Sequence, residues 1–379
     1  MKRGEVTAPR SVLHVFEPSI GGVPHWISRV GAEQVRSGMV VTTLGPTSAT
    51  GMTVGGLQGA THIEMRRSRS SIPGLVAMAR AIRKAVALTD PDIVHLHSTF
   101  AGAVGRLALW RSRQTIVYQP HCLVFMRQSG ASERVSAWIE RFLSRRTDAL
   151  AFVSEAELAS AEAHGLDGPS IVVGVPVGLH GVLTLSGNSA DIGQVMRKRV
   201  GLCDDDFVLL CVGRWSKQKG QDRLLHWWAN TYSPSTALVL VGEGTDGPQV
   251  RRIVGRGGRT VLVGPSNEVS GWMALADVLI QPSRWEGHSM VIAEAMAAGL
   301  PVIVTGYPGA GEAIRWSSLI VGNDENLTGL TNVVRVLRER PGLRDRLSTD
   351  GQQRARLLHS SAVVAERCGH LYRVASGTK

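Results

Sequence analysis

The chain has 379 residues, 43% of them hydrophobic and 19% charged, and its mean hydropathy is +0.03. This composition is typical of a globular protein and excludes a disordered, collagen-like or coiled-coil chain. At roughly 150 residues per domain, the length predicts two or three domains.

The chain is strongly basic, since 42 Lys and Arg residues against 31 Asp and Glu residues give a net charge of +11. The excess is spread evenly over both halves of the chain instead of forming a cluster. We therefore expect no nucleic acid as a partner. A diffuse positive field would instead attract a polyanionic substrate or an anionic membrane surface.

The cysteines and the first residues indicate the compartment. Cys122, Cys203, Cys211 and Cys368 show no C-x-x-C spacing, which disfavours a zinc site and fits a reducing environment. The first residues lack the apolar stretch of a signal peptide, and no window of about 18 apolar residues occurs. We expect a cytoplasmic protein that does not cross a membrane.

In the first half of the chain, short apolar runs alternate with longer helical patterns. This alternation predicts parallel strands covered by helices. The loop Glu17 to Val23 leads into a helix that begins near Pro24, and a basic helical segment is expected at about 73–88. The predicted strands are 11–16, 40–45, 92–97, 115–121, 149–154 and 172–177.

A second series of strands follows a break in the pattern. Residues 178–203 are rich in Gly, Ser and Asn at their start, and we predict that they form an interdomain linker. Helical patterns at about 327–340 and 343–375 end the chain. The predicted strands of this half are 207–214, 236–244, 260–265, 278–283, 301–306 and 319–322.

The fold class is therefore α/β, with two doubly wound, Rossmann-like domains. The first domain is expected at 1–177 and the second at 204–359, with the linker at 178–203 between them. A C-terminal helix at about 360–379 is expected to pack back onto the first domain.

Three patterns resemble cofactor sites but are not favoured as such. Gly242 to Gly247 match G-x-G-x-x-G, yet they follow the second strand of their domain and lack an acidic residue about 20 positions later. Asp204 to Asp206 directly precede a strand, where a solvated turn is commoner than a metal site. His95 and His97 share one face of a strand without a nearby Cys or carboxylate, so we expect them to line a cleft.

The most informative segment runs from 281 to 314. Glu286 lies in a loop after a predicted strand, and Glu294 lies eight residues later in a helix that starts near Ser289. Both carboxylates can then approach one ligand. The first amides of this helix favour an anion such as a diphosphate. They belong to Gly287, His288, Ser289 and Met290.

Residues 286–305 resemble the E-x7-E signature of the retaining glycosyltransferases of family 4, which have the GT-B fold. Arg214, followed five residues later by Lys219, resembles the Arg and Lys pair that holds the donor diphosphate in this family. LVLVGEG at 238–244, PDIVHLHS at 91–98 and the glycine loop at 19–23 are similar to further family segments in the same order.

The resemblance implies two domains facing across a cleft and a retaining, metal-independent hexosyltransferase. Such an enzyme moves a sugar from a nucleoside diphosphate sugar, here expected to be a UDP-sugar, to the hydroxyl of a glycan, lipid-linked or metabolite acceptor. Arg214 and Lys219 would bind the diphosphate, Glu294 the donor ribose and Glu286 the donor sugar near its reacting face. No metal or other cofactor is expected, because two cations and a helix N-terminus can offset the charge of the leaving group.

The resemblance also assigns residues of the first domain. His121 stands where the family commonly has a histidine that faces the donor sugar, although the usual His-Gly pair is His-Cys here. Gly21 and Gly22 would let the backbone approach the donor phosphates. His288 replaces a more usual aromatic residue and Ser289 a common glycine, which leaves the identity of the donor sugar open.

Two alternatives remain at this point. A sugar-nucleotide epimerase or hydrolase of the same architecture would bind a similar donor without an acceptor. A non-enzymatic module would bind nucleic acid or a membrane surface. The basic residues that predict peripheral contact with the inner face of the membrane are Arg66, Arg67, Arg69, Arg80, Arg83 and Lys84.

Overall fold

The computed structural model describes residues 9–19, 21–47, 57–65, 71–177, 189–231, 235–254, 258–307, 310 and 318–377. The chain divides into two compact units. The first unit comprises Met1–Pro176 together with Ser361–Lys379, and the second comprises Val177–Ser360.

The first unit is built on a seven-stranded parallel sheet with the order β3-β2-β1-β4-β5-β6-β7. Its strands are β1 (Ser11–Val15), β2 (Val40–Gly45), β3 (Thr61–Glu64), β4 (Ile93–His97), β5 (Thr115–Gln119), β6 (Ala149–Phe152) and β7 (Ser170–Val172). Its helices are α1 (Gly22–Arg36), α2 (Ile72–Thr89), α3 (Thr99–Ala108), α4 (Ala131–Ser144) and α5 (Glu155–Ala163), with a short 3-10 turn at Val124–Arg127. The central strands are buried along their whole length because helices cover both faces of the sheet.

The second unit is built on a six-stranded parallel sheet with the order β10-β9-β8-β11-β12-β13. Its strands are β8 (Phe207–Val212), β9 (Thr236–Val241), β10 (Arg259–Gly264), β11 (Val278–Gln281), β12 (Val302–Thr305) and β13 (Ser318–Val321). Its helices are α6 (Ser189–Arg199), α7 (Gln221–Thr231), α8 (Pro248–Val254), α9 (Val269–Ala274), α10 (Met290–Ala297), α11 (Leu330–Glu339) and α12 (Pro341–His359).

The last helix, α13 (Ser361–Gly377), belongs to the first unit and packs on α1 and on β5 to β7. Leu371 and Tyr372 are almost fully buried there and join the core formed with Trp26 and Ile27 of α1. Residues from the two ends of the chain therefore share one hydrophobic core.

In each sheet the chain changes direction across the sheet at one position, between β1 and β4 in the first unit and between β8 and β11 in the second. Ligands of doubly wound sheets bind beyond the carboxyl ends of the strands at this switch point. The loops that follow β1, β8 and β11 are thus the places where a substrate site is expected.

The structure corrects several predicted bounds. The last strand of the first unit is Ser170–Val172 instead of 172–177, because Gly174 with a φ of 83° and Pro176 interrupt extended pairing. The short edge strand β3 was missed, since its four residues are partly exposed and carry little apolar pattern. The helical pattern 343–375 divides at Ser360, whose backbone is extended.

The predicted linker 178–203 was too long. Residues 178–188 lie outside the described residues, but Ser189–Arg199 forms helix α6, which packs on α9 in the second unit. Arg197 of this helix donates to the Leu275 carbonyl at 2.9 Å and to Asp277 at 3.0 Å. Among the described residues, no helix has the length and apolar character that crossing a membrane requires.

Candidate active site

In the second unit, an ion pair joins two predicted site residues that are far apart in sequence. Lys219 Nζ lies 2.6 Å from Glu286 Oε1. The same carboxylate accepts a hydrogen bond from Ser283 Oγ at 2.7 Å and one from Gln218 Nε2 at 3.2 Å. Glu286 is only 7% exposed, so these donors compensate for most of the water that its charge has lost.

The loops that carry this ion pair follow β8 and β11, which are neighbours at the switch point. Gly220 has a φ of 68°, and a Cβ atom there would lie 2.0 Å from the Pro282 carbonyl oxygen. Only glycine permits this approach, which brings the loop after β8 against the loop after β11. The glycine that follows Lys219 therefore has a structural role in the site.

Arg214 is exposed, and its guanidinium makes no hydrogen bond or ion pair with any residue that the structure describes. Gln221 Nε2 holds the backbone of this loop by donating to the carbonyls of Gly213 at 2.9 Å and Arg214 at 3.0 Å. The loop is thus fixed while one of its cations remains available to an anion.

Arg223 of α7 supports the loop after β11 by hydrogen bonds to its backbone. Its guanidinium is 3% exposed and donates to the carbonyls of Pro282 at 2.7 Å and Ser283 at 2.9 Å, and to Asn323 Oδ1 at 2.7 Å. Burial lowers its pKa. No sequence pattern predicted this residue, because its partners lie 59 to 100 positions away.

The predicted helix N-terminus is α10, which begins at Met290. Ser289 precedes it and makes no capping hydrogen bond, and its buried hydroxyl has no partner among the residues that the structure describes. Gly287 is buried as well. The first amides of a helix have no partner within that helix, so amides and hydroxyl together provide donors for an anion.

Two further predicted residues belong to the same segment. Glu294 is the fifth residue of α10 and is half-buried. His288 has its ring 5.0 Å from that of His359 in α12, and burial followed by the nearby charges of His359 and Arg354 lowers its pKa well below the usual value. Tyr307, after β12, was not predicted. Burial, with a smaller effect of Glu286, raises the pKa of its hydroxyl, which has no hydrogen-bond partner within the described part of the chain.

In the first unit, the predicted glycines begin α1 directly after the loop that follows β1. Gly21 is the N-cap residue with a φ of 95°, and nothing lies within 4 Å of the place where its Cβ would be. The left-handed backbone, not crowding, is what favours glycine here. Gly22 is the first residue of the helix and is exposed.

His121 follows β5 and is joined to a row of buried polar side chains. Its Nε2 lies 2.9 Å from His97 Nδ1, His97 Nε2 lies 2.9 Å from His14 Nδ1, and His14 Nε2 lies 2.8 Å from Gln34 Oε1. Gln34 Nε2 donates to the Tyr372 hydroxyl at 3.3 Å. His14 and His97 are fully buried. We call these five side chains the histidine chain.

His14, His95 and His97 each contribute one ring nitrogen to a cluster in which the three nitrogens lie within 4.8 Å of one another. His95 and His97 stack with their ring centroids 4.1 Å apart, so the two do share a face as predicted. They lie inside the unit, because both are fully buried. The expectation that they line a cleft was therefore wrong for the first unit by itself.

The G-x-G-x-x-G match at 242–247 and the acidic run at 204–206 have structural explanations. A Cβ atom at Gly242 would lie 2.2 Å from the Gly213 carbonyl oxygen, so this glycine lets the loops after β8 and β9 touch. Asp206 pairs with Arg259 at 2.5 Å and accepts from the Cys203 amide at 2.6 Å.

Comparison with known families agrees with this geometry. Residues 21–178 match the model of the glycosyl transferase 4-like domain, and residues 206–339 match that of glycosyl transferases group 1. Together the two matches cover about three quarters of the chain, and the second includes both strands of the switch point in the second unit. The chain belongs to the family 4 glycosyltransferases.

Individual relatives of this glycosyltransferase agree. The putative glycosyltransferase EpsD of Bacillus subtilis (strain 168) is 27% identical over 326 residues, covering 82% of this chain and 83% of EpsD. The Escherichia coli UDP-Gal:alpha-D-GlcNAc-diphosphoundecaprenol alpha-1,3-galactosyltransferase is 28% identical over 237 residues, 58% of each chain.

Among solved structures, Anabaena HepE in complex with UDP and glucose has a TM-score of 0.77 at 18% identity, covering 95% of this chain and 98% of that chain. This likeness concerns the fold, and it confirms the predicted GT-B class. The family matches confirm the predicted glycosyltransferase activity.

The support that Arg223 gives to the Glu286 loop can be tested by substitution. Arg223→Met leaves the Pro282 carbonyl without a donor and removes one donor from the Ser283 carbonyl, and we expect it to lower the free energy of unfolding of the second unit by about 3 kcal/mol. For a unit of this size, the melting temperature should then fall by about 5 to 10 °C in calorimetry. Arg252→Met, at an exposed position of α8, is the matched control. Equal melting temperatures of both variants would contradict the role of Arg223.

The buried histidines predict a first unit that is sensitive to acid. Burial, opposed in part by Gln34, lowers the pKa of His14 from 6.5 to about 4 in the folded chain. Because the folded pKa is depressed, the stabilisation is complete above pH 6.5 and is lost as the pH falls towards 4.

At pH 5.5 His14 alone should favour the unfolded state by roughly 1 kcal/mol relative to neutral pH. Melting temperatures measured between pH 8 and pH 5.5 should therefore fall less steeply for His14→Gln than for the unmodified chain. Parallel curves for the two proteins would show that His14 does not stay neutral in the folded state.

Proposed function

We propose that this glycosyltransferase moves a sugar from a UDP-sugar to an acceptor hydroxyl, with retention of the anomeric configuration and without a metal ion. The observation that carries the proposal is the exposed guanidinium of Arg214, which has no partner among the described residues. It lies in the same loop as Lys219, the ion-pair partner of Glu286, at the switch point of the second unit. The HepE complex with UDP and glucose and the E. coli relative named for UDP-Gal support a uridine diphosphate donor.

Two cations and a helix N-terminus would bind the diphosphate. Arg214 can donate to two phosphate oxygens with its planar guanidinium. Lys219 donates one of its three ammonium N–H groups to Glu286 in a hydrogen bond, and the other two can donate to phosphate. The first amides of α10 and the Ser289 hydroxyl add donors, with Gly287, His288 and Met290 around them. Together they offset the charge that develops on the leaving group, which is the task of a metal ion in other transferases.

The carboxylates would hold the donor and not attack it. Glu286 already accepts hydrogen bonds from Lys219, Ser283 and Gln218, which makes it a weak nucleophile but a well-oriented acceptor for a sugar hydroxyl. Glu294 would hold the ribose, as the family resemblance implies. In the first unit, Gly21 and Gly22 would face the donor phosphates, and His121 the donor sugar.

Retention without a protein nucleophile requires attack on the face that the diphosphate leaves. The bond between the anomeric carbon and the diphosphate oxygen breaks, and a bond from that carbon to the acceptor oxygen forms. The acceptor proton passes to the departing diphosphate, so no residue needs to serve as base. Tight binding of the diphosphate oxygens by Arg214 and Lys219 keeps this base in place.

Substitution of Arg214 tests the donor site. Since a charge-assisted hydrogen bond contributes about 1.5 to 3 kcal/mol, Arg214→Ala should weaken UDP binding about 10- to 100-fold in calorimetry. Arg252→Ala, at an exposed position outside the site, should bind UDP as the unmodified chain does.

Two further measurements test metal independence and retention. Turnover should persist in EDTA, and NMR should show a product with the anomeric configuration of the donor.

Several results would contradict this proposal. Unchanged UDP affinity of Arg214→Ala would remove the diphosphate site, and activity that EDTA abolishes and Mg²⁺ restores would refute metal independence. Free sugar or an epimer formed equally well without any acceptor would favour the hydrolase or epimerase alternative.

We further propose that the acceptor is lipid-linked and that helix α4 contacts an anionic membrane. The exposed side of α4 carries an apolar stripe at helical spacing, separate from the side with Ala137 and Leu143 that faces the core. This stripe consists of Val135, Trp138, Ile139 and Phe142, which are 40 to 66% exposed. Such a face is expected of a helix that lies in the membrane interface.

Aromatic stacking and basic residues extend the same face. Phe142 stacks with Trp138 at 6.1 Å and with Trp110 at 5.3 Å between ring centroids. A groove of about 830 Å³ beside Trp110 contains Arg83 of α2 and is of a size to hold a lipid headgroup. The exposed arginines of this surface are Arg111, Arg113, Arg134, Arg141 and Arg145. Of the basic residues predicted earlier, Arg80, Arg83 and Lys84 are exposed on α2, and Arg66, Arg67 and Arg69 lie outside the described residues.

Vesicle flotation tests the membrane surface. At low salt the chain should float with vesicles containing anionic lipid and not with pure phosphatidylcholine, because each basic residue near the surface contributes about 1 kcal/mol. The double variant Trp138→Ser, Phe142→Ser should lose this binding, and Leu357→Ser, at a 64% exposed position of the second unit, should retain it. A chain that does not float, or a double variant that changes only the oligomeric mass, would refute membrane contact.

A further inference from the structure

The histidine chain runs from the C-terminal helix to the edge of the sheet where ligands bind. It begins at Tyr372 of α13, passes through Gln34 of α1, His14 of β1 and His97 of β4, and ends at His121 after β5. Each side chain lies within hydrogen-bond distance of the next. Elements distant in sequence therefore converge on one ring.

All three imidazoles of the chain stay neutral near pH 7. Burial lowers the pKa of His14 to about 4 and that of His121 to about 3, and burial with the neighbouring histidines lowers the pKa of His97 well below its usual value. A neutral imidazole has one nitrogen that donates and one that accepts. Fixing one end of the chain consequently fixes the tautomer of every ring in it.

The amide of Gln34 fixes that end. The Tyr372 hydroxyl lies 2.7 Å from His95 Nδ1 and can give its proton there, which leaves it to accept from Gln34 Nε2. Gln34 Oε1 then faces His14 and can only accept. His14 must carry its proton on Nε2, and its Nδ1 accepts from His97 Nε2. His97 Nδ1 in turn accepts from His121 Nε2. The lone pair of His121 is therefore on Nδ1, which has no partner among the described residues.

We propose that Gln34, His14 and His97 are positioning residues that hold His121 in the Nε2-protonated tautomer, so that its Nδ1 accepts a hydrogen bond from a hydroxyl of the donor sugar. The inference rests on the proposed function, in which His121 faces that sugar. It also predicts a selectivity among donors. Replacing the sugar hydroxyl that donates to His121 Nδ1 by hydrogen or fluorine should give a poorer substrate.

The ring of His121 has little freedom to adopt another arrangement. Its backbone has a φ of 62°, a left-handed conformation that a non-glycine residue adopts only where its surroundings enforce it. Trp26 lies edge-on to the ring, with the centroids 5.8 Å apart and the planes at 82°. The ring nitrogen Nε2 is hydrogen-bonded to the fully buried His97, whereas His121 as a residue is only half-buried.

A metal ion on His14, His95 and His97 would require a different arrangement. Two imidazole nitrogens on one tetrahedral zinc ion are about 3.3 Å apart. His14 Nδ1 and His97 Nε2 are 2.9 Å apart, which is the distance of a hydrogen bond. Both nitrogens of His14 are also engaged, so its lone pair points to His97 and not to a shared centre.

The test reads the tautomer directly and does not depend on activity. The full chain is labelled with ¹⁵N-histidine, because the ¹⁵N shift distinguishes a protonated from an unprotonated ring nitrogen. His121→Gln assigns the signals of His121. We expect Nε2 protonated and Nδ1 unprotonated in the unmodified chain and in Gln34→Glu, which retains the acceptor. In Gln34→Leu, His121 Nδ1 should become protonated in part or all of the molecules.

A second variant and a control guard against misfolding. Tyr372→Phe removes one oxygen, so that Gln34 is no longer held in one orientation, and it should also mix the tautomers of His121. His370→Gln, an exposed position of the same helix, should leave them unchanged.

Kinetics distinguish the inference from the proposed function. Gln34→Leu and Tyr372→Phe should lower kcat/KM for the UDP-sugar about five- to tenfold, the effect of one hydrogen bond, while the affinity for UDP alone stays unchanged. Gln34→Glu should restore kcat/KM.

A His121 tautomer that is the same in all variants, or protonated on Nδ1 in the unmodified chain, would overturn the inference and leave the proposed transfer intact. A tautomer that follows Gln34 while neither Gln34→Leu nor His121→Gln affects kcat/KM would remove His121 from the sugar site. One equivalent of bound metal in the purified chain, with the ring shifts of a metal complex, would replace the histidine chain by a metal site.

Discussion

The buried guanidinium of Arg223 is the constraint on which the site of the second unit depends. It donates to the carbonyl of Pro282, for which no other donor is found among the described residues, and shares the carbonyl of Ser283 with the Thr305 hydroxyl, and so it holds the loop after β11 close to the loop after β8. Gly220 permits the contact, because no side chain fits between its backbone and Pro282. Only with the two loops in contact can Lys219 reach Glu286. The ion pair is thus a consequence of how backbone groups are satisfied. Arg214, which pairs with none of the described residues, is the charge left for a ligand.

The first unit solves a similar problem with neutral groups. Histidines on β1 and β4 lie in a sheet that is covered on both faces, where an unpaired ring nitrogen is costly. Their hydrogen bonds to one another, to Gln34 and to Tyr372 compensate for that cost and require α13 to pack on this unit. The same hydrogen bonds fix the order of donor and acceptor along the row of rings. Through the hydrogen bonds from Gln34 to His97, this polar core can transmit that order to a ring at the edge of the sheet.

The surface of the first unit shows how one helix can serve two environments. The core-facing residues of α4 include Glu140, which pairs with the buried Arg106 at 2.7 Å. The opposite side presents aromatic rings between arginines. A hydrophobic pattern alone would assign the apolar stripe of α4 to the core. Burial assigns it to the surface, and this difference is what indicates a partner.

The sequence by itself determined the fold class, the strand-helix order and the loop of Glu286, because these depend on local periodicity and on a short motif with characteristic spacing. The family resemblance also singled out Arg214, Lys219 and His121. The tertiary structure decided the rest: that Lys219 pairs with Glu286, that Arg223 supports both loops, that His95 and His97 are internal, and that residues from 189 belong to the second unit. The residues that these contacts join are at least 59 positions apart in the sequence. Their partners are chosen by which buried polar groups need a donor or an acceptor, and no local pattern in the sequence encodes that choice.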